Sequence, residues 1–219
     1  MIPRLKPYFN IEEVKDLFRY YNEPIQKFEE DFAKIFKSKY ALSFPYGRSA
    51  LYAILKSQNI KDSEILMPAY SCVVVSNSIV TSKNIPKFVD VSLKDFNAQA
   101  KSFKEKINNK TKAILPTCLF GYPVNANEIK EISKDKLVIY DNALALGTKF
   151  KNKYIANYGD FAIYGLGLGK QISTIDGGIA TTNNKELYEK LKEFRDSNFK
   201  KYSFYKKYEK LFIFLAQFI

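Results

Sequence analysis

Phe161-Ala162-Ile163-Tyr164-Gly165-Leu166-Gly167-Leu168-Gly169-Lys170 opens as a short apolar run and closes on alternating glycines and a lysine. A run that is apolar on both faces is the pattern of a strand covered on two sides. The glycine loop after it has three readings. A P-loop needs glycine six residues before the lysine and Ser or Thr directly after it, but Tyr164 and Gln171 stand there. The dinucleotide fingerprint also fails, because the spacing is G-x-G-x-G and no long helix follows. On this segment alone, a flexible loop with an incidental lysine stays open beside a binding loop.

Outward from this strand, short β-branched runs alternate with amphipathic stretches from about residue 40 to 183. The expected strands are Tyr40–Phe44, Glu64–Pro68, Pro86–Val91, Lys112–Thr117, Leu137–Tyr140, Phe161–Tyr164 and Gly178–Thr182. Between them Ser49–Gln58, Cys72–Ser82, Lys101–Ile107 and Asn127–Ser133 have helical periodicity. Ala113-Ile114-Leu115 and Leu137-Val138-Ile139 are again apolar on both faces, so the class is α/β with helices on both sides of the sheet. Two helices, Ile11–Tyr21 and Glu23–Phe36, precede the first strand. A later one, Lys185–Asp196, has Asn183 or Asn184 as its N-cap. The segment Tyr202–Ile219 ends on nine nearly continuous apolar residues, which need a cover.

Composition narrows the chemistry. The 219 residues contain no histidine, which removes histidine-based triads and histidine-ligated metal. Cys72 and Cys118 are the only cysteines and form no disulfide framework. The net charge of +12 invites nucleic acid. However, lysines are interleaved with acids, arginine is scarce and base-reading motifs are missing, so no nucleic-acid partner is expected. No eighteen-residue apolar stretch and no secretory signal are visible, and the expected location is cytoplasmic.

Two further places suit ligand chemistry. Asp141 ends an apolar strand, where open α/β sheets bind ligands, though a solvated loop aspartate is the plain alternative. Gly47-Arg48-Ser49 opens a helix after a strand, so free N–H groups, Ser49 and Arg48 could hold a phosphate. A simple helix start accounts for the same residues.

A phosphate cradle, a strand-end aspartate and a lysine in a glycine loop, in that order, resemble the DegT/DnrJ/EryC1/StrS aminotransferases. These are fold-type-I pyridoxal-phosphate (PLP) enzymes. The matching stretches include Phe28-Glu29-Glu30-Asp31-Phe32-Ala33, Gly47-Arg48-Ser49-Ala50-Leu51, Ile65-Leu66-Met67-Pro68-Ala69-Tyr70 and Phe88-Val89-Asp90-Val91. They continue through Thr111 to Pro116, Phe120-Gly121-Tyr122-Pro123 and Asp141-Asn142-Ala143, then from Gly159-Asp160 through Lys170 to Gly177-Gly178. The resemblance implies a three-layer α/β/α large domain with a mostly parallel, roughly seven-stranded sheet. It implies Lys170 as the lysine that holds pyridoxal 5'-phosphate and moves the proton, and Asp141 as partner of the pyridine nitrogen. It further implies Gly47, Arg48, Ser49 and Gly165 at the phosphate, and Tyr70 to Cys72 against the ring.

The implied activity is transamination of a nucleotide-linked keto-sugar, with an amino acid as amino donor, in polysaccharide or glycan biosynthesis by a homodimer. The alternative is a non-catalytic relative that keeps the fold for dimerisation or scaffolding. Three positions depart from the family: Leu144 replaces a glutamine, Gly165 a serine and Cys72 a ring-stacking aromatic. The resemblance covers Pro3 to Arg195, while family members continue into a small C-terminal domain. The expected organisation is therefore an N-terminal helical segment over 1–36 and a PLP-binding large domain over 37–196. A helix over 197–219 would lead to a small domain largely absent here. The apolar end is expected to meet a protein partner more readily than a membrane surface.

Overall fold

A computed structural model describes residues 15, 23–167, 169–200, 205, 209 and 212. The expected helix over Ile11–Tyr21 and the segment Tyr202–Ile219 lie outside them, save for Lys15, Tyr205, Glu209 and Phe212. In chain order the elements are α1 (Pro24–Ile35), β1 (Tyr40–Phe44), α2 (Gly47–Ser57), β2 (Glu64–Pro68), α3 (Val73–Thr81), β3 (Ile85–Val89), α4 (Ala100–Lys106) and β4 (Thr111–Ile114). There follow α5 (Ala126–Ser133), β5 (Leu137–Asp141), a small hairpin of β6 (Lys149–Phe150) and β7 (Lys153–Tyr154), β8 (Phe161–Gly165), β9 (Gly178–Thr182) and α6 (Lys185–Asn198). No helix among the described residues is long and apolar enough to cross a membrane.

Seven strands form one sheet in the order β1-β9-β8-β5-β4-β2-β3. The run from β8 to β3 is parallel, and β9 lies antiparallel to both β8 and β1. All seven expected strands are present, and the architecture is the three-layer one. Pro86 sits in β3, which is tolerated because β3 is an edge strand and a proline there forfeits no ladder bond on its open side. The small hairpin was not legible, since its strands are too short to show a period.

Strand alternation splits the core in two. One layer packs α1, α4 and α5 on the sheet through Phe32, Phe103 and Ile129, with Tyr140 and Tyr164 from the strands. The other packs α2, α3 and α6 through Leu51, Ile54, Ile79 and Leu191, with Ile139, Phe161 and Ile163 beneath them. Odd residues of β5 therefore face α2 and even ones face α1. At the start of α6, Asn184 is the N-cap, its side chain accepting from the Leu187 N–H at 3.2 Å.

Candidate active site

β2, β4, β5 and β8 run in parallel, and β1 runs the same way because β9 reverses direction twice. Their carboxyl ends therefore share one edge of the sheet. Four expected site segments follow from this: Gly47 to Ser49 after β1, Tyr70 to Cys72 after β2, Asp141 at the end of β5 and Gly165 to Lys170 at the end of β8. This is the edge where parallel sheets take ligands, since the strand ends leave a crevice between diverging loops.

Glycines let the start of α2 settle onto that edge. A Cβ on Gly178 would collide with Gly47 N and the Tyr46 carbonyl. One on Gly47 would lie 3.0 Å from the Tyr164 carbonyl oxygen. The helix has no side-chain cap, and the Tyr46 carbonyl accepts from Ser49 N and Ala50 N at 3.0 and 3.1 Å. The start of α2 is thus packed close to Gly165, and a helix start without a side-chain cap is a suitable seat for an anion.

Asp141 is buried, 5% exposed, and its carboxyl is raised above the usual value of 3.8. Burial is the main cause; the Ala143 N–H, 3.0 Å from Oδ1, and the charge of Lys170 pull the other way. Lys170 lies half-buried above the same floor: a Cβ on Gly165 would meet its Cε at 3.2 Å and Ala143 Cβ at 3.7 Å. The missing side chain at Gly165, where the family pattern leads one to expect serine, is what leaves room for the lysine stem. Gln171 secures the loop, its side-chain oxygen accepting from Leu146 N at 3.0 Å. Nothing about Gln171 beyond its place next to the lysine signalled this. Farther along, Ile175 has φ +70° and Asp176 N bonds back to Thr174 O at 2.9 Å, a tight positive-φ turn that a β-branched residue adopts only under strain.

Other expected residues are placed less directly. Arg48 is exposed, its guanidinium 3.8 Å above the Tyr46 ring. With Ser49 it lines an open cleft of about 520 Å³ between α2, α3 and the end of α6, which includes neither Asp141 nor Lys170. Tyr70 and Cys72 are exposed beside the carboxyl edge, Tyr70 against Phe96. Leu144 is also exposed, at the turn after Asp141. Gly159 and Asp160 belong to the opposite edge and are structural. Asp160 accepts from Val138 N at 2.8 Å, and a Cβ on Gly159 would strike the Tyr140 ring at 2.8 Å.

A family model described as the DegT/DnrJ/EryC1/StrS aminotransferase family matches residues 12–214. GDP-perosamine synthase of Escherichia coli O157:H7 is 34% identical over 174 residues, covering 78% of this chain and 48% of that protein. Among solved structures, Helicobacter pylori PseC, an aminotransferase involved in the biosynthesis of pseudoaminic acid, superposes with a TM-score of 0.82 at 25% identity. It covers 92% of this chain and 57% of its own. The E. coli GDP-4-keto-6-deoxy-D-mannose-3-dehydratase with bound hydrated PLP gives 0.77 at 28% identity, covering 86% and 53%. This chain spans about half the length of the curated relatives it matches.

Proposed function

This chain belongs to the DegT/DnrJ/EryC1/StrS aminotransferase family, and from that premise we propose that it binds pyridoxal 5'-phosphate and transaminates a nucleotide-linked keto-sugar, with an amino acid as donor. The observation that carries the proposal is the buried Asp141 carboxylate beside Lys170 at the carboxyl edge of the sheet. A carboxylate so far from water calls for a cationic hydrogen-bond donor, and a pyridinium N–H is one. The residues present fit the group. The start of α2 would offer N–H groups and Ser49 to its phosphate, Asp141 would meet its ring nitrogen, and Lys170 would reach it from the glycine loop.

When bound, the cofactor supplies an electron sink for the carbon that loses its proton. The chain's own residues do the rest. Asp141 would keep the ring nitrogen protonated, Lys170 would hold the cofactor and then carry the proton, and Gly165 would leave space for the lysine to swing. Tyr70 and Cys72 would flank the ring, and Gly47 and Arg48 would offer backbone N–H groups at the phosphate end, the Arg48 side chain being held over the Tyr46 ring. The substrate class follows the relatives, whose names are those of enzymes of nucleotide sugars. Such a reaction belongs in the cytoplasm, in polysaccharide or glycan synthesis, and the expected assembly is a homodimer. A second reading, a scaffold that has lost catalysis, is favoured by Leu144 standing exposed where a polar contact to the cofactor is expected.

The test is direct. Purified protein mixed with PLP should develop a visible band that borohydride abolishes, leaving a mass adduct on Lys170. Lys170→Ala should lose band and adduct while keeping its fold. A folded wild-type protein that gives neither would overturn the enzyme reading and favour the scaffold.

A further inference from the structure

Four buried side-chain polar atoms lack a hydrogen-bond partner among the described residues: Thr117 Oγ1, Tyr140 OH, Asn142 Oδ1 and Thr181 Oγ1. A buried polar atom left unpaired is costly, so each calls for an account. Strand alternation separates them. Tyr140 belongs to the core layer beneath α1, and Asn142, two residues on, and Thr181, next to Ala180, share that face. Thr117 is on the other. Ala113 and Leu115 pack in the α2 layer, and the period of two carries that face to Thr117.

Asp141 faces the same way, after Leu137 and Ile139. The two residues are direct neighbours in an isolated parallel bridge, held by Asp141 N to Pro116 O at 2.9 Å and Cys118 N to Asp141 O at 3.3 Å. Paired parallel strands lie about 4.8 Å apart, with paired side chains on one face. A turn about the Thr117 Cα–Cβ bond therefore swings its hydroxyl toward the Asp141 carboxylate. That carboxylate has one backbone donor, Ala143 N, to satisfy its several lone pairs.

We infer that Thr117 is a positioning residue for Asp141: in the loaded site its hydroxyl donates to the carboxylate and holds it, ionised, toward the ring nitrogen. The inference rests on the proposed PLP site. Without ligand the carboxyl is under pressure to stay neutral and the hydroxyl has nothing firm to bond. Binding a cationic ring nitrogen fixes the negative charge, and the threonine then gains a charged acceptor at close range.

Three proteins test it: wild type, Thr117→Val, which keeps the shape and removes the hydroxyl, and Thr117→Ser, which keeps the hydroxyl. PLP affinity is read from titration of the visible band, and stability from thermal unfolding without PLP. The expected result is that Thr117→Val binds PLP about tenfold more weakly or worse, that being the scale of a hydrogen bond to a charged group. It should unfold, without PLP, at the same temperature as wild type or higher, because an orphaned hydroxyl has gone. Thr117→Ser should restore most of the affinity.

Equal affinity in all three would overturn the inference. So would a Thr117→Val protein whose unliganded form is destabilised in step with its affinity, since the hydroxyl would then be bonded, through an ordered water, in the empty site. If Thr117→Val fails to fold, Thr117→Ser decides alone: affinity near that of wild type supports the inference, and a drop as large as tenfold sinks it. Failure of wild type to form the Lys170 adduct is a separate outcome and overturns the proposed function itself.

Discussion

Asp141 carries a cost in the unliganded protein that a bound cationic donor would relieve. Because burial raises its carboxyl above 3.8 in the folded chain, folding takes up a proton at mildly acidic pH. Its contribution to stability is thus fully present below the ordinary carboxylate value and is lost as pH rises through the raised one. Asp141→Asn removes that term. The variant without PLP should melt higher than wild type at neutral pH and converge with it toward acid, as followed by thermal unfolding across pH, while its PLP binding falls. Asp141 and Lys170 could be singled out as residue types at telling places in the chain. Thr117 could not, because its relation to Asp141 exists only through strand register. Gln171 was hidden for a similar reason: its partner, Leu146, lies 25 positions away.

At the scale of elements, the site depends on how closely α2 approaches the sheet. Gly178 stands where β9 meets Gly165 on one side and Phe44 on the other, directly beneath the Tyr46–Gly47 peptide. The atoms a side chain would meet are backbone and cannot swing aside. Gly178→Ala should therefore cost on the order of 3 kcal/mol or more by denaturant unfolding, and displace the phosphate end of the site. Gly165→Ala is the contrasting case, since it meets the flexible end of Lys170. The strands and helices were readable because two-sided apolar runs and 3.6-residue periods are local. The antiparallel setting of β9 was not. It arises because the chain turns back on itself between Gly165 and Gly178, so that β9 pairs beside β8 without a helical crossover.

At the scale of the molecule, one ion pair ties the early and late parts of the described chain. Arg195 on α6 donates to Glu29 on α1 at 2.6 Å, and the same carboxylate oxygen accepts from Ser43 N and Oγ on β1 at 2.7 and 2.6 Å. Both side chains are mostly covered, at 17% and 11% exposure. Arg195→Ala leaves the carboxylate with two neutral donors and should cost about 2 kcal/mol in urea unfolding, less than a fully buried pair because water still reaches it. Fold class, strand count and the α/β layering were legible in the sequence, since each follows from residue type, spacing and local period, while the candidate lysine and aspartate came from the family resemblance. Tertiary structure decided which residues meet: that Gly178 seats α2, that Gln171 reaches Leu146, and that Thr117 stands beside Asp141. Those are matters of register and close approach between segments distant in the chain, and no local pattern of side chains encodes a distance across a sheet.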